Sequence, residues 1–213
     1  MAKSGRRPSR DASETGSSKR QALIDAAFQV VREQGYARAS ARAIAERAAC
    51  NSALVFYYFD SVDDLLVEAL AASGRAQLAK YEAALAGIDG LGELVEAVQV
   101  RVADDLASGH VKVLTELIGA CSADDRLREK VFAQVTPWLA LTETTFGRLL
   151  TNQGLGGLVS AHQAAVVVVA MFLGVELLAD VSGDDGLVDG LFESARAVAR
   201  LLGVFSGPGA AKP

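Results

Sequence analysis

The chain has 213 residues, a formal net charge of −5, 51% hydrophobic and 22% charged residues, which suits a sizeable core and excludes a disordered polymer. Its two cysteines, Cys50 and Cys121, cannot build a disulfide framework, so a reducing, cytoplasmic setting is expected. The first twenty residues lack the apolar segment of a secretory leader, and the longest uninterrupted apolar run, residues 164–175, is too short to span a bilayer, so no membrane partner is expected.

Thirty-eight alanines, a single proline away from the termini (Pro137) and the lack of period-two alternation predict an all-α fold. A first helix is expected over residues 19–34, with Leu23, Ile24, Ala27, Phe28, Val30 and Val31 on one wide stripe and Gly35 as its stop. Ser40 caps a second helix over 41–48, and Asn51 caps a short third helix ending at Tyr57 or Tyr58. Ser61, with Asp64 three residues on, opens a fourth helix reaching Leu85. After Gly87, Gly90 and Gly92, helices are expected over 92–107, 109–120 and 124–135. Thr136-Pro137 either kinks the chain or starts another helix, which continues to about Asn152. Two last helices are expected over 158–181 and 185–202.

Charge divides unevenly along this order. Residues 1–59 hold ten basic and five acidic side chains, net +5, whereas the remainder holds eleven basic and twenty-one acidic ones, net −10. Extending the first segment to residue 70 reduces it to +1. The asymmetry suggests a nucleic-acid-facing head on an acidic body. Residues 1–18 read as a basic, disordered arm, in which Arg6, Arg7 and Arg10, followed by Lys19 and Arg20, could track a DNA backbone. An ordinary solvated tail has the same composition.

The stretch ARAIAERAACNSALVFYYFD, residues 41–60, carries the requirements of a helix-turn-helix. Ile44, Ala48, Cys50, Val55 and Tyr58 fall where the two helices touch, Ala45 is small where they approach, and Arg42, Arg47, Ser52, Leu54 and Tyr57 are left to face outward. Its continuation through Leu66, with Phe56-Tyr57-Tyr58-Phe59, an acidic linker and Leu65-Leu66, resembles the DNA-binding signature of the tetracycline-repressor (TetR) family of bacterial transcriptional regulators. The preceding residues 27–48, including Gly35-Tyr36, fit the same pattern, so the likeness covers residues 19–70.

The resemblance implies a three-helix helix-turn-helix domain at 19–60, joined to a helical-bundle ligand-binding and dimerisation domain at 61–205, with a frayed tail at 206–213. It implies DNA contacts from Ser40, Arg42, Ser52, Ala53, Leu54, Tyr57 and Tyr58: Arg42 could bridge guanine O6 and N7, Leu54 could meet a thymine methyl, and the tyrosine hydroxyls could meet phosphates. Three departures stand out. Ala49 occupies a turn position usually held by glycine, Phe56 replaces a phosphate-binding tyrosine, and Val62 replaces a lysine among Asp60, Asp63 and Asp64, which would repel phosphate.

In the body, the apolar run and the near-heptad stripe of the last helix could make the dimer interface that the resemblance implies, from Val167, Met171, Leu187, Leu191, Val198 and Leu202, or could simply form the monomer's core. Candidate effector contacts are Tyr81, Leu114, Leu117, Phe132, Trp138 and Phe172, with Arg101, His110 and Glu116 as polar anchors, around a largely apolar pocket of about 300–1,000 Å³. No catalytic residue, metal site or cofactor is expected: His110 and His162 are isolated, and adjacent carboxylates such as Asp63-Asp64 face different sides of a helix. The expected function is a ligand-responsive repressor that binds a two-fold symmetric double-stranded DNA operator as a homodimer and leaves it on binding a small effector. The rival is a helical ligand-binding dimer that has lost useful DNA affinity.

Overall fold

The computed structural model describes residues 10–205 apart from 123, 153, 155, 156, 158 and 185, and the side chains of 10–15, 103, 180 and 202–205 also lie outside the description. Among the described residues the chain is all helical: α1 (Arg10–Gln34), a 3-10 turn (Tyr36–Arg38), α2 (Ala41–Arg47), α3 (Ala53–Tyr58), α4 (Val62–Leu85), α5 (Leu91–Ser108), α6 (His110–Ala120), α7 (Asp125–Asn152), α8 (Ala161–Ser182) and α9 (Gly186–Phe205). A helix-turn-helix head made from α1–α3 stands on a larger bundle made from α4–α9.

α1 begins at Arg10, nine residues earlier than the sequence suggests, so residues 10–18 of the expected arm are helical. Arg6 and Arg7 lie outside the described residues, as does the side chain of Arg10. The predicted stripe is the buried one: Leu23, Ile24, Ala27, Val30 and Val31 are buried, with Phe28 packed against them.

α2 starts where its cap predicts, the Ser40 hydroxyl accepting the Ala43 N–H at 3.2 Å. It ends in a Schellman arrangement: the Cys50 N–H donates to the Ala45 carbonyl at 2.9 Å and the Ala49 N–H to that of Glu46 at 3.1 Å. Such an ending needs a left-handed residue, and Ala49 adopts φ 50°, the only positive φ at a non-glycine among the described residues. Its Cβ is strained there. Ala49→Gly is therefore expected to raise stability by about 0.5–1 kcal/mol, once glycine's extra freedom in the unfolded chain is set against the relief. Urea denaturation measures it; a variant less stable than the parent would contradict the strain.

Asn51 accepts the Ala53 N–H at 2.8 Å and opens α3. Ser61 accepts the Asp64 N–H at 3.0 Å and returns its own proton to Asp64 Oδ2 at 2.8 Å, which caps α4. Lys130 on α7 also donates to Asp64, and with Ser61 it holds that carboxyl below its ordinary range. The Tyr36 hydroxyl donates to Asp63 at 2.8 Å. Two of the three aspartates read from sequence as repelling phosphate are thus tied into the fold.

Pro137 lies inside α7, which continues unbroken from Asp125 to Asn152. Thr136 is accordingly an interior residue, bonded back to the Phe132 carbonyl at 3.3 Å, and not a cap. The missing proline N–H costs one rung of the helix, which packing of α7 against α4 and α8 tolerates.

The head is not a separate core. One buried cluster runs from α1, α2, α3 and the start of α4 into Val113, Leu114, Leu117 and Cys121 of α6 and Leu127 and Val131 of α7. Two polar links cross the same junction: the Tyr36 N–H donates to Glu116 at 2.8 Å, and Arg32 donates to the Ser108 carbonyl at 3.3 Å. Arg32 reaches it across Gly109, where a Cβ would stand 2.6 Å from the Arg32 Cδ and where φ is +74°. Only glycine fits both demands.

Candidate nucleic-acid interface and effector cavity

α3 is held from beneath by Val55, which is fully buried, and presents Ser52, Ala53, Phe56 and Tyr57 to solvent. Tyr57 is 76% exposed and Phe56 62%. Tyr58 is half-buried and meets Tyr57 edge to face at 4.8 Å, which fixes both rings. Leu54 is half-buried against the core, so less of it faces outward than its place on the helix suggests.

Ser40 and Arg42 are exposed at the start of α2. Arg47, expected to face outward, is instead committed to Glu33 of α1 by a two-pronged pair with both contacts at 2.6 Å. Arg20 lies 5.0 Å over the Phe59 ring and 3.8 Å from Glu68, so it braces the head against α4. Lys19 beside it is exposed. The exposed groups therefore include a guanidinium, hydroxyls and two aromatic rings over one helix-turn-helix, a mixture able to meet both base edges and phosphates.

The body encloses a cavity of about 230 Å³ among α4–α9. Tyr81, His110, Leu114, Trp138 and Phe172, all candidates from sequence, line it. The other four do not. Phe132 is 62% exposed, Leu117 is buried in the cluster under the head, Glu116 is bonded to the Tyr36 backbone, and Arg101 pairs with Asp104 at 3.2 Å. One stripe of α6 serves both: His110, Val111 and Leu114 line the cavity, while Val113, Leu114, Leu117 and Cys121 join the cluster under the head.

The cavity also holds an acid that sequence reasoning missed. Asp105 is 3% exposed and accepts the Tyr81 hydroxyl proton at 2.5 Å. Burial, then the Asp105 charge, drive the Tyr81 hydroxyl far above its ordinary range, and burial raises Asp105 as well. His110, stacked near Trp138 with ring centres 6.0 Å apart, is held down to about 4 by burial and is neutral. A second, more open cleft of about 740 Å³ shares Asp105, Val111 and Phe192 with the cavity and includes Arg32 of α1 and Glu176 of α8. The signal for Glu176 is present in the sequence, as an acid set into the apolar part of α8.

Residues 23–69 match the family model "Bacterial regulatory proteins, tetR family". The N-terminal part of this chain is a TetR-family domain. An uncharacterized HTH-type transcriptional regulator of Mycobacterium tuberculosis is 30% identical over 107 residues, which are 50% of this chain and 55% of that protein. The chain thus matches only about half the length of this curated relative.

Over the whole chain the likeness is one of fold, an N-terminal helix-turn-helix joined to a helical bundle. The fatty acid degradation regulator FadR from Bacillus halodurans superposes with a TM-score of 0.70 at 19% identity, covering 91% of this chain and 97% of that one. FadR from Bacillus subtilis, solved in complex with stearoyl-CoA, gives 0.72 at 15%, covering 84% and 96%.

Proposed function

We propose that the protein is a ligand-responsive transcriptional repressor that acts in the cytoplasm as a homodimer on a two-fold symmetric DNA operator. The observation that carries this reading is the exposed face of α3, presented on a TetR-family head whose core continues into the body. In this reading α3 enters the major groove, Ser52, Ala53 and Leu54 meet base edges, and Ser40, Tyr57 and Tyr58 meet phosphates. Arg42 supplies the bidentate base contact.

The homodimer rests on α8 and α9. Val167 (62% exposed), Met171, Leu187 and Val198 are large apolar side chains left open to solvent, and Leu178 and Val181 extend the same surface. Leu191 turns inward to the cavity, and the Leu202 side chain lies outside the described residues. Residues 161–179 form a helical stretch long and apolar enough to cross a membrane by length and composition, longer than the twelve-residue run that stands out in the sequence. Its inner side packs on α7 and α9 and lines the cavity, so pairing with a second α8–α9 surface accounts for the remaining apolar face.

Release follows from the continuity of the core. A small, largely apolar effector in the cavity would bear on Leu114 and Tyr81, whose helices α6 and α4 also hold the head. To move the population from 1:99 to 99:1, it must favour the released form by about 5.5 kcal/mol.

Arg42→Ala is expected to reduce discrimination between operator and random DNA by about 10-fold or more, the equivalent of about 1–3 kcal/mol at one base pair. Fluorescence anisotropy with both DNAs measures it, and an unchanged ratio would remove Arg42 from base reading. The rival ligand-binding dimer without useful DNA affinity draws on Phe56, which has no hydroxyl to offer a phosphate. Absent or sequence-independent binding of the wild-type protein would favour it.

A further inference from the structure

The cavity and the cleft of the body share one carboxylate, Asp105, whose charge acts on a second, Glu176, in the cleft. Asp105 stands in their shared wall with the Tyr81 hydroxyl donating to its Oδ2. Glu176 lines the open cleft, is 6% exposed, and keeps its Oε1 buried without a hydrogen-bond partner among the described residues. A buried oxygen left unmatched is a standing cost unless a donor arrives to meet it. On the other side of Asp105 the wall is aromatic: Tyr81 and Trp138 meet edge to face with centres 5.4 Å apart, and Phe172 completes it. Such rings accept a cation as well as an apolar body.

An anionic headgroup would set a second negative charge beside Asp105 here, and a neutral hydroxyl could satisfy only the unmatched oxygen. A cation does both tasks, matching the oxygen and offsetting the charge. We propose that the effector is a small arylalkyl amine, its apolar body against Tyr81, Trp138 and Phe172 and its ammonium held by Asp105 and Glu176. This rests on the reading of the cavity as the effector site.

The protons follow. Burial and the Asp105 charge push Glu176 up to about 8, so it is mostly protonated at neutral pH. An arriving ammonium converts the carboxylic acid to a carboxylate, and one proton passes to the buffer. Amine affinity therefore rises with pH up to about 8. The groups facing the pair do not reverse this. The charged and titratable groups facing the pair are Lys80 and Tyr81 of α4 and Arg101 and Asp104 of α5, with Arg32, Lys112 and Asp189 at the cleft, and burial holds the Tyr81 hydroxyl far above that range. His110 of α6, held down to about 4, stays neutral. α7 contributes Thr142 and Thr145, and no charged side chain, to the described cavity wall.

Trp138, the chain's single tryptophan, lines the cavity and reports on binding by its fluorescence. With 2-phenylethylamine, 2-phenylethanol and 3-phenylpropanoate as probes at pH 7, the amine is expected to bind at least 10-fold more tightly than the other two. Calorimetry in two buffers of different ionisation heat should show release of most of one proton with the amine and none with the alcohol. Glu176→Gln should bring amine and alcohol within about 2-fold of each other and abolish proton release; should that variant fail to fold, Asp105→Asn provides the comparison of amine with alcohol. Equal binding of the three probes, a tighter acid, or an unchanged preference in a folded Glu176→Gln protein would each overturn the amine. Equal binding with release of operator DNA would leave the effector cavity standing, whereas no binding of any probe would count against both.

Discussion

Val167→Glu is expected to leave the protein folded, convert it to a monomer and weaken operator binding by at least 100-fold. Val167 is 62% exposed in the first third of α8, so a carboxylate there disturbs no buried neighbour of the monomer. In a dimer it would bury one charge per protomer in an apolar seam, without a partner to offset the desolvation. The effect on DNA exceeds the effect on the seam itself. Two recognition helices on one rigid body bind the second half-site at a high effective concentration, and loss of that linkage alone removes about 100-fold or more of affinity. Sedimentation and anisotropy on the same sample test both halves. A dimer that persists at micromolar concentration would place the interface elsewhere, and a monomer with full operator affinity would separate DNA binding from dimerisation.

Leu117→Ala is expected to cost about 3 kcal/mol of stability, within the 2–5 kcal/mol found for buried leucines. Leu117 has no exposure and sits where α6 enters the cluster shared with α1, α2 and α4. The cavity left by truncation would lie between head and body, where Glu116 and Arg32 make the polar links. Urea unfolding should show the lower midpoint. A loss under about 1 kcal/mol would mean that head and body do not share a cooperative core.

Leu117 also shows where sequence reasoning succeeds and where it stops. The sequence offers it as an effector contact inside the body, and it is buried there, yet one stripe of α6 lines the cavity at His110 and Leu114 and closes under the head at Leu117 and Cys121, and periodicity alone does not say which partner each residue meets. Local signals fared better. Ser40 and Ser61 cap the helices they were expected to cap, and Ala49 takes the left-handed conformation that makes glycine the usual choice there. These depend on residues within a few positions of one another.

The links that couple the molecule join residues about eighty apart, as Tyr36 to Glu116 and Arg32 to Ser108, and no local pattern announces them. The same holds for charge. Asp63 and Asp64 read as repulsive until Tyr36 and Lys130 are seen to engage them. Arg47 reads as available until Glu33 is seen to hold it. The charge of +5 on residues 1–59 overstates what DNA would meet, since Arg20 and Arg47 serve the fold.

The central claim is that a dimer of this chain reads a specific DNA sequence with α3. Its most direct measurement is anisotropy of the full chain with DNA from upstream of its own gene, against random DNA of equal length, over a series of salt concentrations. The account predicts two protomers per site, a preference for the upstream DNA that persists as salt rises, and a linear fall of log K with log salt set by a few phosphate contacts. Binding that is absent at low salt, or equal on both DNAs throughout, would contradict it.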